Sequence, residues 1–156
     1  MAALILLKGM DKHGPIIVIE DDTDDQQVFT MVFDQLGCVN EIVFFKSGED
    51  ALVYLTDPTI FPFLVFCDIN MPKTSGYELK KIARREGILK EKCIPFLFFN
   101  TVASDTNVCE AYDDSAQGFF VKPTSYDLLM ETIKAILVYW TACYSHIGAR
   151  KRIAVP

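Results

Sequence analysis

The chain has 156 residues, 51% of them hydrophobic and 23% charged, which supplies the core of one compact domain and leaves little length for a second. Its net charge of -6 argues against a broad nucleic-acid or anionic-membrane surface, because such surfaces need clustered Lys and Arg to neutralise phosphates; no nucleic acid and no membrane are expected as partners, but a protein or a metal ion is. Cys38, Cys67, Cys93, Cys109 and Cys143 are scattered without a CxxC pair, and two histidines add no metal-ligand cluster, so they read as reduced thiols of a cytoplasmic protein.

The opening Ala2 to Leu7 is apolar but too short to span a bilayer, and it lacks the basic flank and cleavage pattern of a signal peptide, so residues 1–13 read as an extension. From there short β-branched or aromatic runs alternate five times with segments whose apolar residues recur every three or four positions. Pro15 to Glu20 (PIIVIE) is a first strand. The helix after it carries Val28, Met31, Val32 and Leu36 on one face before Gly37 stops it. Glu41 to Phe45 is a shorter second strand, and Ser47 caps a second helix with Ala51, Leu52 and Leu55 inward before Pro58.

Phe63 to Cys67 is the third strand, and Gly76 to about Glu86 is helical by the spacing of Tyr77, Leu79, Ile82 and Ala83. Ile94 to Phe99 is a fourth strand whose apolar continuity implies cover on both faces. Ser104 or Asp105 caps a short helix through Tyr112, Gly118 to Val121 is a fifth strand, and Ser125 opens a last helix with Leu128, Leu129, Ile133, Ile136 and Trp140. The expected organisation is an extension over 1–13, one domain over 14–144, and a tail over 145–156 whose Arg150-Lys151-Arg152 reads as a solvated end.

In an open parallel sheet, right-handed crossovers return every strand in the same sense, so all carboxyl ends lie along one edge. Strand one ends in Glu20-Asp21, strand three in Asp68, strand four in Asn100-Thr101 and strand five in Lys122-Pro123. Each has a plain structural explanation when taken alone. Acids opening a helix serve as caps and suit its dipole, which accounts for Asp22, Asp24 and Asp25 but not for Glu20 and Asp21 closing a buried strand. Asp68 before Met71-Pro72 and Gly76 has the look of a turn residue, and Lys122 of a solvated strand end. Their arrival in strand order, at one edge, favours a shared site.

Three carboxylates held together repel unless a cation sits among them, and an oxygen-only set suits Mg²⁺. A carboxylate can act as nucleophile toward a phosphoryl group, with a metal ion and a lysine balancing the charge. In that scheme Asp68 is the nucleophile and Asp21 the main metal ligand.

The motifs IIVIEDD, LVFCDINMPKTSG, PFLFFNT and GFFVKP, in this order and on these strand ends, resemble the receiver domain of two-component response regulators across about Pro15 to Trp140. The resemblance implies a doubly wound, flavodoxin-like (βα)5 fold with sheet order 2-1-3-4-5. It implies Asp68 as phosphoacceptor, Glu20 and Asp21 as the acidic metal pair for Mg²⁺, the backbone carbonyl of Asn70 as a further ligand, and Lys122 as the phosphate-binding lysine. Phe119 takes the place of the switch aromatic and Pro123 follows the family's usual cis bond. One position departs: where the family usually has Ser or Thr, Asn100 stands, with Thr101 next.

The implied function is a stand-alone phosphoacceptor signalling protein, not an enzyme acting on other substrates. It catalyses only its own phosphotransfer and slow dephosphorylation, with a histidine kinase or phosphotransfer protein upstream and an unidentified protein downstream. The last two strands and last two helices are the expected readout face, and the last two helices with the last strand the expected homodimer face, with Tyr139, Trp140 and Tyr144 nearby. The alternatives are a pseudo-receiver binding module, suggested by Asn100, and an aspartyl-intermediate phosphatase, which wants a second acid where Asn70 stands.

Overall fold

The computed structural model describes residues 14–88, 94–102 and 104–143. The expected extension over 1–13, the tail over 145–156, Tyr144 and Cys93 lie outside the described residues. Five strands, β1 (Ile16–Ile19), β2 (Ile42–Phe45), β3 (Leu64–Asp68), β4 (Phe96–Asn100) and β5 (Gly118–Val121), alternate with five helices among the described residues. The helices are α1 (Thr23–Gln35), α2 (Gly48–Thr56), α3 (Gly76–Arg85), α4 (Asp105–Asp113) and α5 (Tyr126–Ala142). All pairings are parallel, in the order β2-β1-β3-β4-β5 that the resemblance implies.

Alternation along the strands splits the core into two layers, because successive side chains point to opposite faces. Ile16, Val18, Leu64, Phe66, Leu97 and Phe99 meet α1 and α5, and there Phe29, Phe66 and Phe99 pack with ring centroids 5.4–6.3 Å apart. Ile17, Ile19, Val65, Cys67, Phe96 and Phe98 meet α2, α3 and α4. β1, β3 and β4 are buried along their whole length, which is why they read as unbroken apolar runs.

Helix starts follow side-chain chemistry. Asp22, Ser47, Ser75, Ser104 and Ser125 each accept a backbone N–H from the first turn that follows, and Ser75 with Glu78 forms a reciprocal capping box. Gly37 ends α1 with φ of 64°, a left-handed conformation that lets Cys38 N–H reach the Phe33 carbonyl. Two inward faces differ from the sequence expectation. In α1 the buried stripe is Phe29, Val32, Phe33 and Leu36, spaced i, i+3, i+4, i+7, while Met31 is 58% exposed. In α5 the stripe is Leu129, Ile133, Ile136 and Leu137, spaced i, i+4, i+7, i+8, while Leu128 faces out. Trp140 packs half-buried on the first core layer and Tyr139 stands outside it, ring against ring at 5.2 Å.

Candidate functional site

The sheet register brings the site together. Ile19 pairs with Cys67, so the next residues along the two neighbouring strands are Glu20 and Asp68; Asn100 pairs with Val121, so Lys122 follows directly, its N–H donating to the Asn100 carbonyl at 2.8 Å. Glu20, Asp21 and Asp68 each present an oxygen within 4.8 Å of the others, with Glu20 and Asp68 buried and Asp21 half-buried. The Lys122 ammonium donates to Glu20 Oε2, to Asp25 Oδ2 at 2.8 Å and to Asp68 Oδ2 at 3.2 Å. The second oxygens are also engaged: Glu20 Oε1 accepts from Asp22 N–H at 3.1 Å and Asp68 Oδ1 from Asn70 N–H at 3.0 Å.

Burial sets the charge state of this cluster. Desolvation pushes the Glu20 carboxyl up to about 7, against the pull of the Lys122 ammonium. Burial alone would lower Lys122; its hydrogen bonds to Asp25 and Glu20 outweigh that and hold it above the ordinary lysine range. The set is oxygen-only and keeps a net negative charge with one lysine among four carboxylates. That donor chemistry fits a hard divalent cation such as Mg²⁺ and not a thiol- or imidazole-seeking metal.

Asn100 is 1% exposed, and its amide is used at both ends: Oδ1 accepts from Asn70 Nδ2 at 2.9 Å and Nδ2 donates to the Val102 carbonyl at 2.7 Å. Thr101 is exposed and turns to the other side, into a cleft lined by Asp25, Phe29, Lys122, Ser125 and Tyr126. Phe119 lies mid-strand in register with Phe98, half-buried against the second core layer. Gly76 packs directly under the Asp68 backbone, where a Cβ would sit 2.5 Å from the Asp68 carbonyl oxygen.

The cis bond expected before Pro123 is not present, and the Lys122-Pro123 peptide is trans. Trans is the lower-energy form of an X-Pro bond, and Lys122 already reaches three carboxylates from it. Sequence reasoning missed Asp25, which it assigned to helix capping and the helix dipole, and Gln26, whose amide donates to the Glu20 carbonyl at 2.6 Å. The available signal was the i, i+5 spacing from Glu20, which carries the chain once round the first turn of α1 and back to the strand end.

Residues 16–134 match the family model described as the response regulator receiver domain. The chain belongs to this family. Among curated relatives, a probable methanogenesis regulatory protein, FilR2, of Methanothrix harundinacea is 29% identical over 130 residues, covering 80% of this chain and 82% of that one. An uncharacterized response regulatory protein of Vibrio vulnificus is 27% identical over 139 residues, 88% of this chain and 52% of its own, so the chain spans about half of that relative.

Solved structures with the same receiver fold include RPA3017, described in red light signalling of R. palustris (TM-score 0.76, 23% identity, 85% of this chain and 97% of that one). The phosphorylated cyanobacterial phytochrome response regulator RcpA gives a TM-score of 0.73 at 23% identity, covering 83% and 95%. The Mn²⁺-bound form of response regulator Rcp1 gives 0.73 at 20% identity, covering 85% and 97%.

Proposed function

We propose that the protein accepts a phosphoryl group on Asp68 from the phosphohistidine of a histidine kinase or phosphotransfer protein and signals by a phosphorylation-dependent change in affinity for a downstream protein. The observation that carries this reading is the convergence of Glu20, Asp21 and Asp68 within 4.8 Å, with Lys122 bonded to two of them. At that spacing each pair of carboxylates repels by about 3 kcal/mol at an effective dielectric of 20. Lys122 offsets part of that repulsion, but one lysine against four carboxylates leaves a net negative site that attracts a further cation, and we assign Glu20, Asp21, Asp68 and the Asn70 carbonyl as the residues that would hold Mg²⁺.

When bound, Mg²⁺ would supply neutralising charge for the phosphoryl oxygens. A carboxylate oxygen of Asp68 forms the new O–P bond in line with the leaving group. The P–N bond of the donor breaks, and the imidazole nitrogen keeps the electron pair. Lys122 balances the added negative charge, while β3 keeps the attacking oxygen on a rigid strand end. Asn100 and Thr101 are the residues through which the phosphoryl group would be sensed, and Phe119 is the aromatic that would respond on β5. The phosphorylated RcpA and Mn²⁺-bound Rcp1 forms support this reading by kinship of fold.

The activity proposed is confined to the protein's own phosphotransfer and slow dephosphorylation, in the cytoplasm, within a single receiver unit over 14–144. The face of α4, β5 and α5 is the proposed readout and homodimer surface, with Val121, Leu128 and Tyr139 exposed along it. No helix among the described residues is long and apolar enough to cross a membrane.

A second reading, a receiver-fold binding module that does not switch by phosphate, draws on the Asn100 amide being committed to Asn70 and Val102. Incubation with acetyl phosphate and Mg²⁺, read by intact mass, separates the two. One phosphoryl adduct in the wild type that is absent in Asp68→Asn supports the phosphoacceptor; no adduct in the wild type supports the binding module.

A further inference from the structure

We infer that Asp25 is a positioning residue of this site: it retains the Lys122 ammonium beside the cluster so that Glu20 and Asp68 can be given over to a divalent cation. The inference rests on the metal reading above and deepens it.

Asp25 lies in the first turn of α1, where an acid is ordinarily explained by the helix N-terminus. That duty is already discharged by Asp22, whose Oδ1 accepts from the N–H groups of Asp24 at 2.8 Å and Asp25 at 3.1 Å. The Asp25 carboxylate turns instead to Lys122, and its Oδ2 lies 2.8 Å from Nζ although the Asp25 side chain is 46% exposed and could hydrate freely.

An ammonium has three donors. Here they meet Glu20, Asp25 and Asp68. Two of these three acceptors belong to the group that would hold the cation, and Asp25 does not. Ammonium and divalent cation therefore compete for the same two carboxylates, Glu20 and Asp68. Asp25 resolves the competition, because it offers the lysine a partner that no cation at the cluster claims, at a distance that keeps the charge next to Asp68. Without it, the ammonium's remaining protein acceptors are the two candidate ligands themselves, and each bound cation must displace it from both.

The test is calorimetric titration of the full chain with Mg²⁺. Asp25→Asn is expected to weaken Mg²⁺ binding on the order of tenfold, the effect of one charge-assisted hydrogen bond. Asp24→Asn removes the same charge one residue earlier, from a side chain that does not touch Lys122, and is expected to weaken it by less than about twofold through general electrostatics. In a Lys122→Ala background, Asp25→Asn should cost no more than Asp24→Asn does. Equal losses in Asp24→Asn and Asp25→Asn, or a tenfold loss that persists without Lys122, would overturn the inference. A wild type that binds Mg²⁺ together with an Asp25→Asn variant that binds it equally well overturns the inference alone. A wild type that binds no Mg²⁺ overturns the metal reading and this inference with it.

Discussion

The side-chain amide of Asn70, just past β3, donates to the side-chain oxygen of Asn100, the last residue of β4, at 2.9 Å. Because Asn70 N–H also holds Asp68 Oδ1 and Asn100 Nδ2 holds the Val102 carbonyl, one short chain of hydrogen bonds joins the proposed phosphoacceptor to the segment that leads into α4.

Asn100→Thr breaks that chain. A hydroxyl is too short to meet both Asn70 and Val102, so a buried polar link is lost and stability falls by about 1–2 kcal/mol, measurable as a lower urea midpoint with an unchanged slope. The same change frees the β4 end from its resting partners and should enlarge the phosphoryl-dependent shift in partner binding. An unaltered shift means that the Asn70–Asn100 link does not restrain the response.

Cation binding should depend on pH through Glu20. Its carboxyl is raised to about 7 by burial, so below pH 7 a proton occupies the oxygen that a cation requires. Apparent Mg²⁺ affinity is therefore expected to rise as pH increases from 5.5 through 7 and to level off about one pH unit higher. Glu20→Gln should bind more weakly and lose this pH dependence, which titrations at several pH values would reveal.

Lys80 supplies a second, independent pH dependence. It is 2% exposed on α3, its ammonium donates to the Asp114 carbonyl, and burial lowers it to about 8, partly offset by the Asp114 charge. Folding thus favours the neutral amine relative to the unfolded chain, so this contribution to stability is fully present above about 10.5 and is lost as pH falls through about 8. Stability is expected to rise between pH 8 and 10 by about 1–3 kcal/mol from this group. Lys80→Met should flatten that rise in denaturant titrations.

Gly76→Ala would drive a Cβ to within 2.5 Å of the Asp68 carbonyl oxygen and 3.0 Å of Ile69 Cα. Both obstacles are backbone, so the strand end must move, at a cost of about 1–3 kcal/mol. Thermal unfolding should show the loss, and any residual phosphorylation should be slower because Asp68 is displaced.

How much of this was legible in the sequence follows from which forces are local. Apolar runs placed β1 through β5, apolar spacing placed α3, and Asp or Ser caps marked the starts of the other helices, because runs, spacing and caps are short-range properties; the Ser75 cap of α3 was not read. Parallel connectivity then put Glu20, Asp68, Asn100 and Lys122 on one edge without any knowledge of contacts. Helix rotation was less legible: Met31 and Leu128 are apolar yet exposed, and which stripe turns inward is decided by tertiary packing, in α1 that of Phe29 and Phe33 against Phe66 and in α5 that of Leu129, Ile133, Ile136 and Leu137 on the same core layer. The Asn100 amide pairings and the turn of Asp25 toward Lys122 depend on side-chain directions across 30 and 97 positions of chain, which no local pattern encodes.

The central claim is that Asp68 carries the phosphoryl group, and residue-level mapping tests it most directly. The protein is treated with acetyl phosphate with and without Mg²⁺, reduced with borohydride to convert an acyl phosphate to homoserine, digested and sequenced by mass spectrometry. The account predicts homoserine at position 68 alone, and only when Mg²⁺ is present. Conversion at Asp21 or Asp25, or none at position 68 with Mg²⁺ in excess, would contradict it.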